Sequence, residues 1–78
     1  MKYLIGYTTV PSSKLGKSIA TMLLKNNLVA CVNILPETLS IYRWKGSIEQ
    51  QKEYIMIFKT TEKRWKEAEI LIKKHHVY

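Results

Sequence analysis

Two adjacent histidines, His75 and His76, stand near the end of the sequence, and its one cysteine, Cys31, stands well before them. Imidazole and thiolate are the donors that copper and zinc prefer. On a regular helix neighbouring side chains diverge by about 100°, so this pair does not chelate one ion as i,i+4 histidines do. An unwound helix end relaxes that limit, and either histidine can join ligands from elsewhere. The plainer reading is two helix-end imidazoles favoured by the negative end of the dipole. Cys31 sits in an apolar run and reads as a small core residue. A single cysteine excludes an internal disulfide and a zinc staple of two or four thiolates.

Catalytic combinations are thinner. Thr8, Ser12 and Ser13 can be drawn beside His75 as nucleophile and base, yet nothing in their spacing supports it. Glu49 and Glu53 share one face of an extended segment, where solvent or interface charges are expected rather than an acid/base pair. There is no Asp, and the three glycines are isolated, so no phosphate loop is present. The stretch TTVPSS also lacks the arginine that an anion loop there would need. The expectation is a protein that is not an enzyme.

The run Tyr42-Arg43-Trp44-Lys45-Gly46 mixes aromatic and basic residues and raises nucleic acid as a partner. The formal charge of +7, from thirteen Lys and Arg against six Glu, suits a polyanion. Its distribution does not. The densest cluster, between Lys63 and Lys74, is interleaved with Glu67 and Glu69, and Glu62/Lys66 and Glu69/Lys73 have the i,i+4 order of an exposed helix. Tyr3 and Tyr7, with Tyr54 and Phe58, have spacings that can form a base-stacking platform. However, KEYIMIFK lacks the Gly-aromatic-Gly core of such sheets, and its isoleucines suggest cover on both faces. Core packing and a solvated surface are expected, with no nucleic-acid partner.

The elements that must position these residues follow from periodicity. Residues 2–10 alternate as a strand, expected to be covered on both faces. Pro11-Ser12-Ser13 offers a turn and a serine N-cap. Leu15, Ile19, Met22 and Leu23 then form the apolar stripe of a helix, ended by Asn26-Asn27. Residues 28–35 read as a central strand buried on both faces, with a kink or bulge near Pro36-Glu37. The strand resumes over residues 39–44, Lys45-Gly46 is a hairpin turn, and residues 47–60 return. Strands of that reach project as an arm, with the aromatic cluster at its end. Thr61 caps a second helix whose stripe is Trp65, Ala68, Leu71 and Ile72.

The order predicts an α+β, ferredoxin-like βαββα(β) sandwich: an antiparallel sheet, two helices on one face, and a long hairpin arm between the second and third strands. Residues 1–78 form a single domain. A fourth strand would pair with the first, so the sequence reads as a piece of a longer chain. A core this small needs support, and with disulfides excluded oligomerisation is expected to supply it. The apolar run at the start is too short and too broken for a signal peptide or membrane span, so a cytoplasmic setting and no membrane partner are expected.

The segments LVACVNILP, SIYRWKGSIEQQKEYIMIFKTT and IKKHHVY, with TTVPS before the first helix, resemble the CutA family of divalent-cation tolerance proteins. The order and spacing of Ala30-Cys31-Val32-Asn33, Tyr42-x-Trp44-x-Gly46-x-Ile48-Glu49 and Lys59-Thr60 make the resemblance specific. It implies a homotrimer with sheets facing inward and the arm packed on the next subunit. Tyr42, Trp44, Ile48 and Glu49 would then be interface residues. It implies a role in divalent metal response without catalysis, with Cu(II) or another divalent cation as the ligand. A regulatory role like that of the similar PII-type trimers, or metal-independent scaffolding, is the alternative. Of the family's copper ligands, only histidine carries over, to His75 and His76, because Thr8 stands at the cysteine position. Val77 replaces the proline of the family's His-Pro-Tyr segment.

Overall fold

A computed structural model describes residues 2–75. They form β1 (Tyr3–Val10), α1 (Ser13–Lys25), β2 (Cys31–Trp44), β3 (Ser47–Thr61) and α2 (Glu62–His75). The sheet order is β1-β3-β2 with both pairings antiparallel, the ferredoxin-like βαββα layout that the sequence predicts. The local signals behave as expected. Ser12 Oγ accepts the Leu15 amide at 3.2 Å, and Thr61 Oγ1 accepts that of Arg64 at 3.3 Å, so each helix has a hydroxyl cap. Asn27 adopts a left-handed φ of 55° after α1. Glu69 pairs with Lys73 at 3.9 Å, whereas Glu62 turns from Lys66 to Lys2 at 3.5 Å. The Lys2–Glu62 pair is exposed and the Glu69–Lys73 pair only partly covered, so each contributes little.

Two expectations about the sheet need correction. The central strand is β3, and β2 is an edge. The apolar run 28–35 misleads because its first part is not sheet: Leu28 and Val29 lie before β2 and plug the core at 6% and 8% exposure. Within β2, Val32 and Ile34 are half-buried while Asn33 and Leu35 are exposed, an ordinary alternation. Likewise β1 is covered on one face only. Gly6 and Val10 are buried, but Tyr3, Ile5 and Tyr7 on the opposite face are 65–73% exposed.

The core lies between the helices and one face of the sheet. Val10, Met56 and Phe58 meet Ile19 and Leu23 of α1 and Ala68 and Ile72 of α2. Phe58 stacks on Trp65 with ring centroids 6.0 Å apart and planes 16° from parallel. Beneath that ring lies Gly6, where a Cβ would stand 2.2 Å from Phe58 Cε2 and Cζ. The buried Thr60 hydroxyl donates to the Leu28 carbonyl at 2.6 Å, tying the plug to the central strand.

Residues 47–53 of β3 have no β1 beside them and pair with β2 alone. That two-stranded ribbon is the expected arm. It closes on Lys45 and Gly46 at φ 49° and 81°, the two positive values of a type I′ turn. The molecule measures 41 × 23 × 19 Å, with a radius of gyration of 13.3 Å, against roughly 11.5 Å for a compact domain of this length. The bulge falls where Pro36 predicts it, between Leu35 and Thr38.

Candidate functional site

The register assigns every side chain of the open sheet face. On β1 these are Tyr3, Ile5, Tyr7 and Thr9, opposite Thr61, Lys59, Ile57 and Ile55 of β3. On β2 they are Cys31, Asn33 and Leu35, then, beyond the bulge, Thr38, Ser40, Tyr42 and Trp44. Glu53, Gln51, Glu49 and Ser47 oppose the last four of these. The body of this face is largely apolar, with Lys59 and Asn33 among its exposed residues, and its arm is aromatic and acidic. Large hydrophobics stand uncovered along it: Tyr3 and Ile5 at 73%, Tyr7 at 65%, Trp44 at 61%, Tyr42 at 41%.

Of the residues expected at an interface, the arm brings Tyr42, Trp44 and Glu49 onto this face, with Tyr42 and Glu49 directly cross-strand. Ile48 does not join them. It pairs with Arg43 and points to the reverse of the ribbon with Leu39 and Ile41, all three more than half exposed. The arm therefore carries large apolar side chains on both faces, beside Glu49, Gln51 and Glu53 on one and Arg43 and Lys52 on the other. Lys45 leans back over the Trp44 ring, its Nζ 5.7 Å from the centroid.

A hollow of about 630 Å³ lies along this face, lined by Tyr7, Thr9, Ser40, Tyr42, Trp44, Glu49, Gln51 and Glu53. The Tyr42 hydroxyl donates to Gln51 Oε1 at 3.2 Å. Glu53 is only 6% exposed and is engaged within the fold. Sequence reasoning places Glu49 and Glu53 on one face but misses Ser40, Gln51 and Thr9. The available signal is the period-2 pattern of polar residues from Glu49, read together with the phase shift at Pro36. A second hollow, about 490 Å³, lies between the end of α1 and the start of α2 and includes Tyr3, Asn27, Thr60 and Arg64. There the Arg64 guanidinium donates to the Asn27 carbonyl.

The metal candidates are not gathered. His75 is the last residue of α2 and half-buried, and His76 lies outside the described residues. Cys31 is half-buried on the open side of an edge strand rather than in the core. Thr8 lies on the helix side of β1. Among the described residues no group of three or more His, Cys, Asp or Glu side chains converges, so they do not by themselves make the donor set of a copper or zinc site. The Ser12 hydroxyl is engaged as a cap. The stacking platform does not form either, because Tyr3 and Tyr7 face outward while Tyr54 and Phe58 face the helices. Among the described residues no helix is long and apolar enough to cross a membrane.

Residues 4–78 match the family described as CutA1 divalent ion tolerance protein. Divalent-cation tolerance protein CutA of Thermococcus kodakarensis is 38% identical over 78 residues, all of this chain and 74% of that protein. Protein CutA of Mus musculus is 44% identical over 54 residues, 69% of this chain but only 30% of that protein. The chain thus spans under a third of the mouse relative. The crystal structure of CutA1 from Shewanella sp. SIB1 superposes with a TM-score of 0.96 at 34% identity, covering 99% of this chain and 72% of that one. The chain belongs to the CutA1 family.

Proposed function

We propose that the chain acts without catalysis as a homotrimer, with the open sheet face turned inward and the arm packed on the neighbouring subunit. Its role in this reading is the divalent-cation tolerance for which its relatives are named, exercised in the cytoplasm. The observation that carries the assembly is the uncovered apolar face, Tyr3, Ile5 and Tyr7 continuing into Tyr42 and Trp44. Monomeric soluble proteins rarely leave so many large hydrophobic side chains exposed on one face, and a two-stranded ribbon is marginal until packed against something. Copper(II) or another divalent cation is the proposed ligand, with His75 and His76 as donors completed from elsewhere in the assembly.

The scattered donors among the described residues favour a second reading, a metal-independent trimeric scaffold or a PII-like regulator that binds a small ligand in the clefts between subunits. One experiment separates them: titration calorimetry of Cu(II) and Zn(II) into metal-free protein, with native mass read on the same sample. A trimer with saturable binding supports the metal reading. A trimer with none moves the function to the second. A monomer removes both.

A further inference from the structure

The geometry points to the larger hollow, along the open sheet face, as a binding site for a small organic cation, an alkylammonium group carried on an apolar body. Its volume of about 630 Å³ falls in the range of small-molecule sites. Tyr7, Tyr42 and Trp44 supply aromatic walls and Glu49 an exposed carboxylate, while Glu53 also borders the hollow but is buried and already engaged within the fold. The charge balance is the telling feature. The chain has thirteen Lys and Arg and only six acids, yet two of those acids and none of the cations line this hollow.

The aromatics are placed to serve the same ligand. Aromatic faces carry negative potential and attract ammonium groups. The Trp44 ring already draws the Lys45 ammonium to 5.7 Å. Tyr42 stands directly across the ribbon from Glu49, so ring and carboxylate approach one ligand from adjacent strands. The bond from Tyr42 to Gln51 fixes that wall in advance, which lowers the ordering cost of binding. An inorganic divalent ion fits less well. It wants six or more oxygen ligands, whereas most of this wall is carbon, and the described residues hold no group of three ligating side chains.

This inference does not rest on metal tolerance, but Tyr42, Trp44 and Glu49 are shared with the proposed interface. The test therefore uses the assembled protein and reads native mass alongside binding. The probe is benzyltrimethylammonium chloride, followed by calorimetry at fixed ionic strength, with neutral 3,3-dimethylbutanol as the isostere of the cationic head. The expected result is saturable binding of the ammonium, about tenfold or more weaker for the alcohol and for Glu49→Gln and Tyr42→Leu. Native mass is read in each variant, and only variants that keep the parent's mass are compared for binding. Equal binding of cation and alcohol overturns the proposal, as does full affinity in both variants. Absence of binding to protein of normal mass also overturns it.

Discussion

Replacing Gly6 with alanine tests the packing of the core at a single methyl group. The added Cβ would stand 2.2 Å from Phe58 Cε2 and Cζ and 2.9 Å from Cδ2. Carbon atoms pack at about 3.5 Å or more, so the ring must retreat by roughly 1.3 Å. It has little room to do so. Phe58 is 1% exposed, and its far side is occupied by the Trp65 ring. Overpacking of this kind costs about 1–3 kcal/mol. Against it, alanine restricts the unfolded chain and returns about 0.4–1 kcal/mol. The net expectation is a loss of about 1–2 kcal/mol. For a domain of this size that is a fall in Tm of roughly 5–15 °C.

The assay is urea and thermal unfolding of Gly6→Ala, Phe58→Leu and the double variant, all at one protein concentration because assembly shifts apparent stability. Leucine lacks the ring atoms that the new methyl strikes. The double variant should therefore be more stable than the sum of the single losses by about 1 kcal/mol. A Gly6→Ala protein as stable as its parent, or a strictly additive cycle, would refute the account of Phe58 pinned between Gly6 and Trp65.

Thr60→Val removes the donor to the Leu28 carbonyl and leaves that acceptor buried, so stability in urea should fall by about 1–2 kcal/mol. Lys45→Asn suits the left-handed first position of the arm's turn and should raise stability by roughly 0.5 kcal/mol; a lower Tm would argue against the type I′ assignment. Trp44→Ala should shift the assembly towards monomer or aggregate, and an unchanged native mass removes Trp44 from the interface. His75→Ala should weaken copper binding in calorimetry if that imidazole is a ligand, and superimposable titration curves would exclude it.

The parts legible in the sequence are those set by near neighbours. Ser12, Asn27 and Thr61 sit where helix ends need them, Lys45-Gly46 where a two-residue turn needs positive φ, and Pro36 where the β2 ladder breaks. The illegible parts depend on partners distant in sequence. Hydrophobicity alone does not say that Leu28 and Val29 plug the core instead of joining a central strand. Nor does Gly6 announce Phe58, which lies opposite it across the sheet, although a lone glycine in an apolar strand is a known mark of close approach. The hollow was out of reach for the same reason, because its lining joins Tyr7 and Thr9 of β1 to residues of the arm that lie far from them in sequence.

The bulge at Pro36-Glu37 links these observations. Before it, odd-numbered residues of β2 face the open side; after it, even-numbered ones do, because the stretch from Leu35 to Thr38 opposes only Ile55 to Glu53 on β3. A single extra residue thus reverses the phase of the outer strand while β3 keeps its own. Without that reversal Leu39 and Ile41 would lie on the face of Tyr3 and Tyr7, and Tyr42 and Trp44 would turn to the reverse. The arm would then lay aliphatic side chains against Glu49, Gln51 and Glu53, and the aromatic wall would be lost. Proline suits this place because it donates no ladder hydrogen bond and is tolerated at a bulge on an edge strand. A local feature of backbone chemistry therefore decides which side chains of the arm share a surface with the body of the sheet.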